Sequence, residues 1–173
     1  MFPSPPSAEL IALAGAAAAK HALDFSFSVE SQTYTAGALV CAIVEQESAW
    51  EAHAIRYEPA FRTRYVAPLG LSPTEEIARS ISWGLMQVMG QVAREHGFNG
   101  KFLSALCEPE AGLDIGCAVL ASKLAAAKGQ GIALGENSSA RVSDAAVIAR
   151  VLQLWNGGAD PDYAAQVFAR LPK

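Results

Sequence analysis

The sequence predicts an all-α fold with at most a very small β element, on three observations. Helix-capping residues recur along the chain, apolar residues repeat at helical spacing between them, and no convincing long strand pattern occurs. The chain has 173 residues, 51% of them hydrophobic and 17% charged, which excludes intrinsic disorder and favours a single domain over residues 1–173. Residues 1–6 are proline-rich, and we expect them to form a flexible N-terminus.

In the first half of the chain, capping residues and the spacing of apolar residues predict the elements. Ser7 begins a helix that runs to about residue 23, and a loop or short extended piece covers residues 25–34. A second helix is expected over residues 35–50. The only β element is expected within residues 51–72. Ser72-Pro73-Thr74-Glu75 reads as a capping box with proline at the first helical position, for a short helix that ends near residue 80.

The second half is predicted to be helical on the same grounds. Residues 84–96 are predicted to form a helix that Gly97 ends. Glu108-Pro109 begins another helix, which runs to about residue 128. Residues 129–139 are rich in Gly, Ser and Asn and are expected to form a mobile loop. Ser143 caps a helix that ends at Trp155. Asp160-Pro161 starts the last helix, with one face formed by Tyr163, Val167 and Leu171.

Charge, cysteine content and hydropathy exclude several functions. A net charge of −4 argues against a nucleic-acid partner, since such proteins usually carry a basic face. The three cysteines and three histidines show no zinc-ligand spacing, so no metal and no other cofactor is implied. No apolar run approaches the ~20 residues of a membrane span, so no stable membrane insertion is expected. The N-terminus lacks the basic start of a secretory signal.

One carboxylate lies where the helical pattern calls for an apolar residue. The helix over residues 35–50 has an apolar stripe formed by Leu39, Val40, Ile43 and Trp50. Counted from Ala36, Glu47 falls at about 20°, in the middle of this stripe, whereas Glu45 falls at about 180° and should be solvated. Burial would raise the pKa of Glu47, as a general acid near neutral pH requires. The structural alternative is a helix-end carboxylate paired with Arg56 or Arg62.

Three short motifs carry a resemblance to a known family. Glu47-Ser48-Ala49-Trp50 ends one predicted helix, Gly84-Leu85-Met86-Gln87 begins another, and Trp155-Asn156-Gly157-Gly158 precedes Tyr163. In this order they resemble the soluble lytic transglycosylase and goose-type lysozyme family, which cleaves bacterial peptidoglycan. The resemblance covers about residues 10–171 and implies a lysozyme-like α-helical fold, with peptidoglycan glycan strands as the partner and a monomer as the expected state.

The resemblance also implies roles for single residues. The Glu of the Glu-Ser motif is the catalytic acid, which corresponds to Glu47, and Gln87 and Asn156 correspond to residues of the glycan cleft. Ser48 and Tyr163, within or beside these motifs, are expected to help bind substrate. Trp83, beside Gly84 and outside any apolar stripe, is the best candidate to stack on a sugar, although aromatic residues are more often part of the core.

The sequence departs from the family at two positions. Trp155 stands where the family has a Tyr and keeps the ring without the hydroxyl, and Arg56 stands where a Ser is often found. Residues 54–66 look more like phage-type cell-wall lysins, which favours an endolysin or a prophage-derived enzyme. Such an enzyme would act on the cell wall or in the periplasm. With no signal peptide recognised, we expect synthesis in the cytoplasm and release by another route.

Two chemistries remain open. A lytic transglycosylase needs Glu47 alone, first as acid and then as base, and forms a 1,6-anhydro product. A lysozyme needs a second carboxylate to activate water, and Glu58, Glu75 and Glu76 are the acidic residues between the two cleft motifs. Glu75 is explained as a capping-box residue and Glu76 as a charge in the first helical turn. Glu58 is therefore the candidate second catalytic group, or else an ion-pair partner of a nearby arginine. Further alternatives are a non-catalytic wall-binding module and a chitin-directed glycosidase.

Overall fold

The computed structural model describes residues 6–129 and 145–172, and its helices and strands confirm the mostly α-helical prediction. The helices are α1 Ala8–Lys20, α2 Ala36–Ser48, α3 Pro59–Phe61, α4 Pro73–Arg79, α5 Gly90–Glu95, α6 Pro109–Gly129, α7 Ala145–Trp155 and α8 Tyr163–Phe168. A π-helical turn covers Arg62–Val66, and 3-10 turns cover Ala67–Leu69 and Leu103–Cys107. The strands are β1 Ser26–Val29, β2 Gln32–Thr35, β3 Ile55–Tyr57, β4 Ile81–Trp83 and β5 Val88–Met89.

Side-chain caps begin three of these helices, and two of them, Ser7 and Ser72, are the predicted capping residues. Ser7 accepts a hydrogen bond from the Leu10 N–H at 3.2 Å, and Thr35 accepts one from Ala38 at 3.2 Å. Ser72 accepts one from the Glu75 N–H at 3.5 Å. Each cap satisfies a backbone donor that the first helical turn leaves without a partner. The predicted Ser143 cap and most of the predicted loop at 129–139 lie outside the described residues.

The predicted helix over residues 84–96 is wrong in its first half. Residues 84–87 form a turn between β4 and β5, and only Gly90–Glu95 is helical. Gly84 and Gln87 have φ angles of +67° and +46°, which a right-handed helix does not allow. A Cβ on Gly84 would lie 2.2 Å from the Leu106 carbonyl oxygen, so only glycine fits there.

A three-stranded antiparallel sheet, in the order β3-β4-β5, faces the end of α2. Arg56 lies opposite Ser82, and Ser82 lies opposite Met89, so these three side chains share one face of the sheet. The β element expected within residues 51–72 is only the first of these strands. A separate hairpin of β1 and β2 occupies the segment expected to be a loop or a short extended piece.

The core lies around α2, which packs against α1 and α8, while α6 packs against α1 and α7. Its largest fully buried side chains include Phe27, Leu39, Ile43, Leu85, Met86, Leu113, Leu120 and Ile148. Met86 anchors the 84–87 turn to α6, where a Cβ on Gly116 would lie 2.1 Å from the Met86 sulfur. This contact fixes the turn relative to α6. The predicted face of the last helix is also part of the core, because Tyr163, Val167 and Leu171 are all buried.

Candidate active site

Glu47 lies in the last turn of α2, where two neutral donors hold one of its carboxylate oxygens. The Tyr163 hydroxyl donates to Oε1 at 2.5 Å, and the Trp155 indole N–H donates to the same oxygen at 3.1 Å. Tyr163 is 5% exposed and begins α8, and Trp155 ends α7. The two donors leave Oε2 as the oxygen available to a reacting group.

Burial dominates the electrostatics of Glu47. Desolvation raises the pKa of this carboxyl above its usual value, although hydrogen bonds from Tyr163 and Trp155 and the charge of Arg56 work in the opposite direction. Burial also raises the pKa of Tyr163 far above its usual value, and the charge of Glu47 adds to the effect. Tyr163 is therefore a permanent hydrogen-bond donor, and the carboxyl can hold a proton at a higher pH than an exposed glutamate can.

A cleft of about 180 Å³ opens in front of Glu47. Its lining residues come from the end of α2, the sheet, α5, α6 and the end of α7. They are Glu47, Arg56, Ser82, Gln87, Val88, Met89, Val92, Val119, Lys123, Trp155 and Asn156. The cleft thus joins all three sequence motifs, through Glu47, Gln87 and Asn156. Glu47 is the one carboxylate among these described lining residues.

Gln87 lines the cleft and also holds the turn in place. Its Nε2 donates to the carbonyl oxygens of Ala54 and Gly84, each at 2.9 Å, and its Oε1 accepts from the Ser82 hydroxyl at 2.9 Å. These bonds tie the segment before β3 to the β4–β5 turn. They also stabilise the left-handed backbone of Gln87, which is uncommon for a residue with a side chain.

Asn156 follows α7 at the rim of the same cleft. Its Nδ2 donates to the Asp160 carbonyl oxygen at 3.2 Å. No described residue donates to its Oδ1, so this acceptor is open to a sugar hydroxyl or an N-acetyl N–H. The geometry is thus compatible with the expected substrate contact.

Ser48 and Trp83 lie beside the cleft without lining it. The Ser48 hydroxyl donates to the Leu85 carbonyl oxygen at 2.9 Å and so joins the end of α2 to the 84–87 turn. Trp83 follows Ser82 along β4, and successive side chains of a strand point to opposite faces. Its indole N–H donates to the Ala78 carbonyl oxygen at 3.0 Å, and its ring packs against the core, away from the sugar-facing position expected for it.

The other acidic residues of this region are paired with arginines. The Arg56 Nε donates to Glu58 Oε1 at 2.5 Å, which is the ion-pair alternative stated for Glu58, and Glu58 does not line the cleft. Glu76 pairs with Arg62 at 2.6 Å. The Glu75 carboxylate accepts from Arg79 at 2.8 Å and Arg94 at 3.0 Å, so its side chain serves these arginines while its N–H completes the cap.

Sequence reasoning missed two polar residues of the cleft. Ser82 is 1% exposed and supports Gln87, and Lys123 lines the cleft from α6. Once β4 is placed, its alternation identifies Ser82, but no local pattern distinguishes Lys123 from the other lysines of the helical surface.

In the described ranges no group of three or more metal-ligating side chains occurs. Within the same ranges no helix combines the length and hydropathy needed to cross a membrane.

The cleft and its half-buried carboxyl suit acid–base chemistry, and the comparison with known families identifies the class of enzyme. The family model described as "Transglycosylase SLT domain" matches residues 25–148, and the chain belongs to this family. Its members are lytic transglycosylases that act on peptidoglycan, so peptidoglycan is the substrate class. No curated protein and no solved structure gave a significant match. Trp155, Asn156 and Tyr163 follow the matched segment, so their link to Glu47 rests on the geometry above.

Proposed function

We propose that Glu47 is the general acid and base that cleaves the β-1,4 bond between N-acetylmuramic acid and N-acetylglucosamine. The observation that carries this proposal is a half-buried carboxyl at a cleft, held through Oε1 by two neutral donors. Because both donors occupy Oε1, the transferable proton belongs on Oε2. A raised pKa lets the carboxyl hold that proton at a higher pH than an exposed glutamate can.

The proposed reaction has two proton transfers. Glu47 gives its Oε2 proton to the glycosidic oxygen, the bond to the muramyl C1 breaks, and the sugar gains oxocarbenium character. The Glu47 carboxylate then takes the proton of the C6 hydroxyl of the same sugar, whose oxygen bonds to C1. The product is a 1,6-anhydromuramyl end, no water is consumed, and Glu47 is again protonated. Between the two transfers, the charge of Arg56 stabilises the carboxylate.

The absence of a second carboxylate from the described lining of the cleft favours this anhydro product over hydrolysis. A lysozyme that inverts at C1 needs a base ~6.5–9.5 Å from the acid, with room for water between them. Glu58, the candidate for that base, is engaged by Arg56. The hydrolytic muramidase remains the second candidate function, and the same experiment decides between the two.

The test is mass spectrometry of the soluble fragments released from purified peptidoglycan. Wild type is compared with Glu47→Gln, and with Glu45→Gln as a matched control on the same helix but outside the cleft. We expect anhydromuropeptides from wild type and from the control, and none from Glu47→Gln. Reducing muramyl ends, heavier by one water, would instead establish a hydrolase. Equal release by Glu47→Gln would show that Glu47 is not the acid.

We also propose that the enzyme is a phage or prophage lysin that acts on the wall outside the cytoplasm. The support for this origin is the resemblance of residues 54–66 to phage-type lysins. A lysin made in the cytoplasm needs a route to its substrate. Expression in bacteria should therefore leave the cells intact until the inner membrane is permeabilised, and lysis should then follow for wild type and not for Glu47→Gln. Lysis without permeabilisation would contradict this proposal.

A further inference from the structure

The charge of the cleft differs from that of the whole chain. The chain carries a net charge of −4, but the described lining of the cleft holds two cations, Arg56 and Lys123, and one carboxyl, Glu47. When Glu47 is protonated for its role as acid, the lining is positive. A positive cleft in a negative protein favours an anionic ligand.

The two cations of the cleft are not equivalent. Arg56 is bound to Glu58, and its charge acts on Glu47. Lys123 has no ion pair within the described residues, and it is not among the groups that shift the pKa of Glu47. Lys123 therefore lines the cleft from α6 with its charge available to a ligand.

The position of Lys123 on α6 explains how it reaches the cleft. Val119 and Lys123 are one helical turn apart, so they share a face, and both line the cleft. Val119 is 4% exposed, whereas Lys123 is partly exposed. A lysine in this setting lays its methylene groups along the apolar surface and keeps its ammonium group in water. Lys20, by contrast, is paired with Asp114 at 2.9 Å.

The two sugars of a glycan strand differ in a way that this charge can recognise. N-acetylglucosamine has no ionisable group. N-acetylmuramic acid carries a lactyl arm that ends either in a free carboxylate or in a peptide stem with carboxylates of its own. We propose that Lys123 binds a carboxylate of this arm and so acts as a specificity-determining residue that places the muramyl sugar at Glu47. This inference rests on the proposed function.

The test measures kcat and KM separately for Lys123→Met, with Lys123→Arg as the conservative variant and Lys128→Met as the matched control on the same helix. On stem-bearing strands we expect the KM of Lys123→Met to rise about tenfold, with kcat within about twofold of wild type. Lys123→Arg should largely restore KM, and Lys128→Met should behave as wild type. A KM for Lys123→Met within about twofold of wild type on both stem-bearing and peptide-free strands would overturn the proposal.

Chemical modification of the substrate separates the two sources of carboxylate. Strands stripped of peptide by an amidase keep only the lactyl carboxylate, and carbodiimide amidation of intact strands neutralises only the carboxylates of the stem. An effect of Lys123→Met that persists on stripped strands identifies the lactyl group, and one that disappears on amidated intact strands identifies the stem. An effect that remains when both groups are neutralised would contradict a carboxylate contact.

Binding alone distinguishes a failure of this inference from a failure of the proposed chemistry. Glu47→Gln and the double variant Glu47→Gln/Lys123→Met are sedimented with purified, uncleaved peptidoglycan at low and high salt. If Lys123 binds a carboxylate, the single variant binds more tightly at low salt, and the difference decreases at high salt. Equal binding at both salt concentrations would refute the contact, whatever products the wild-type enzyme releases.

Discussion

Carboxylates are held differently on the helical side of the cleft and in the segment around the three-stranded sheet. On the helical side, Glu47 accepts hydrogen bonds from uncharged groups, the Tyr163 hydroxyl and the Trp155 indole. In the sheet segment, Glu58, Glu75 and Glu76 each accept from at least one arginine. Both kinds of site satisfy the carboxylate oxygens, but only the second supplies a full positive charge at contact distance.

The directions in which the pKa values of Glu47 and Glu75 are shifted follow from this difference in hydrogen-bond partners. Desolvation is the largest influence on both Glu47 and Glu75. At Glu47 desolvation outweighs the hydrogen bonds and the charge of Arg56, so the pKa is raised. At Glu75 the hydrogen bonds and charges of Arg79 and Arg94 outweigh it, and the pKa is lowered. A carboxyl must exchange its proton to act in catalysis, so neutral donors suit Glu47 and arginines suit residues that only stabilise the fold.

The largest expected effect is on activity and comes from removing the acid. Glu47→Gln should lower kcat/KM for release of soluble peptidoglycan fragments by about 10²–10⁴-fold, because the amide cannot donate or accept the proton. Glu75→Gln should retain most of the activity, since Glu75 lies outside the cleft lining. If both variants lose activity to the same degree, the distinction between the two regions is wrong.

The second expected effect is on thermal stability, which Glu75→Gln should lower and Glu47→Gln should raise. Glu75→Gln weakens two charge-assisted hydrogen bonds and should lower the free energy of unfolding by about 1–2 kcal/mol, or Tm by about 2–8 °C, near neutral pH. Glu47→Gln removes a costly buried carboxylate and should raise Tm by about 2–4 °C. Thermal unfolding followed by circular dichroism measures both.

The pH dependence of Tm sharpens this contrast. The raised pKa of Glu47 means that its stabilising contribution is complete below the usual glutamate pKa and is lost as pH rises through the raised value. The lowered pKa of Glu75 means that its contribution is present above the usual pKa and is lost as pH falls through the lowered value. The advantage of Glu47→Gln should therefore disappear in acid, as should the deficit of Glu75→Gln.

A smaller effect should follow from removing one neutral donor. The Tyr163 hydrogen bond lowers the pKa of Glu47, so Tyr163→Phe should raise this pKa further and move the alkaline limb of the kcat/KM profile to higher pH by about 0.5–1 unit. Trp155→Phe should move the limb in the same direction by less. A shift to lower pH in either variant would show that these donors do not act on the catalytic acid.

The smallest expected effect is that of Glu58→Gln. Arg56 is exposed and Glu58 is partly exposed, so loss of their ion pair should change stability little and leave anhydro product formation within about twofold of wild type. A loss comparable to that of Glu47→Gln, together with reducing ends in the wild-type products, would instead make Glu58 the base of a lysozyme.

The sequence predicts the parts of the fold that depend on local chemistry. The caps at Ser7, Thr35 and Ser72 each satisfy a nearby backbone donor, so the starts of α1, α2 and α4 can be read from neighbouring residues. The β1–β2 hairpin lacks such a signal. Its turn residues, Glu30 and Ser31, have φ angles of +49° and +69° in place of the Asn-Gly that usually marks such turns.

The candidate site is also predictable only in part, because its residues come together from distant parts of the chain. The position of Glu47 on an apolar stripe follows from helical periodicity, but its donors lie 108 and 116 residues further along the chain. Trp155 lacks the hydroxyl that the family's Tyr carries, but its indole N–H donates a hydrogen bond to Glu47. The position of Trp83 depends on the start of β4, since a shift of one residue moves a side chain to the opposite face.

The separation between Glu47 and its donors bears on biosynthesis. Trp155 and Tyr163 leave the ribosome long after α2, and a released fragment that ends before them has a glutamate without its two donors. The environment of Glu47 is thus complete only once translation has passed Tyr163 and α8 has docked on α2. An incomplete chain that ends before Trp155 therefore lacks both hydrogen bonds that hold Oε1 of Glu47.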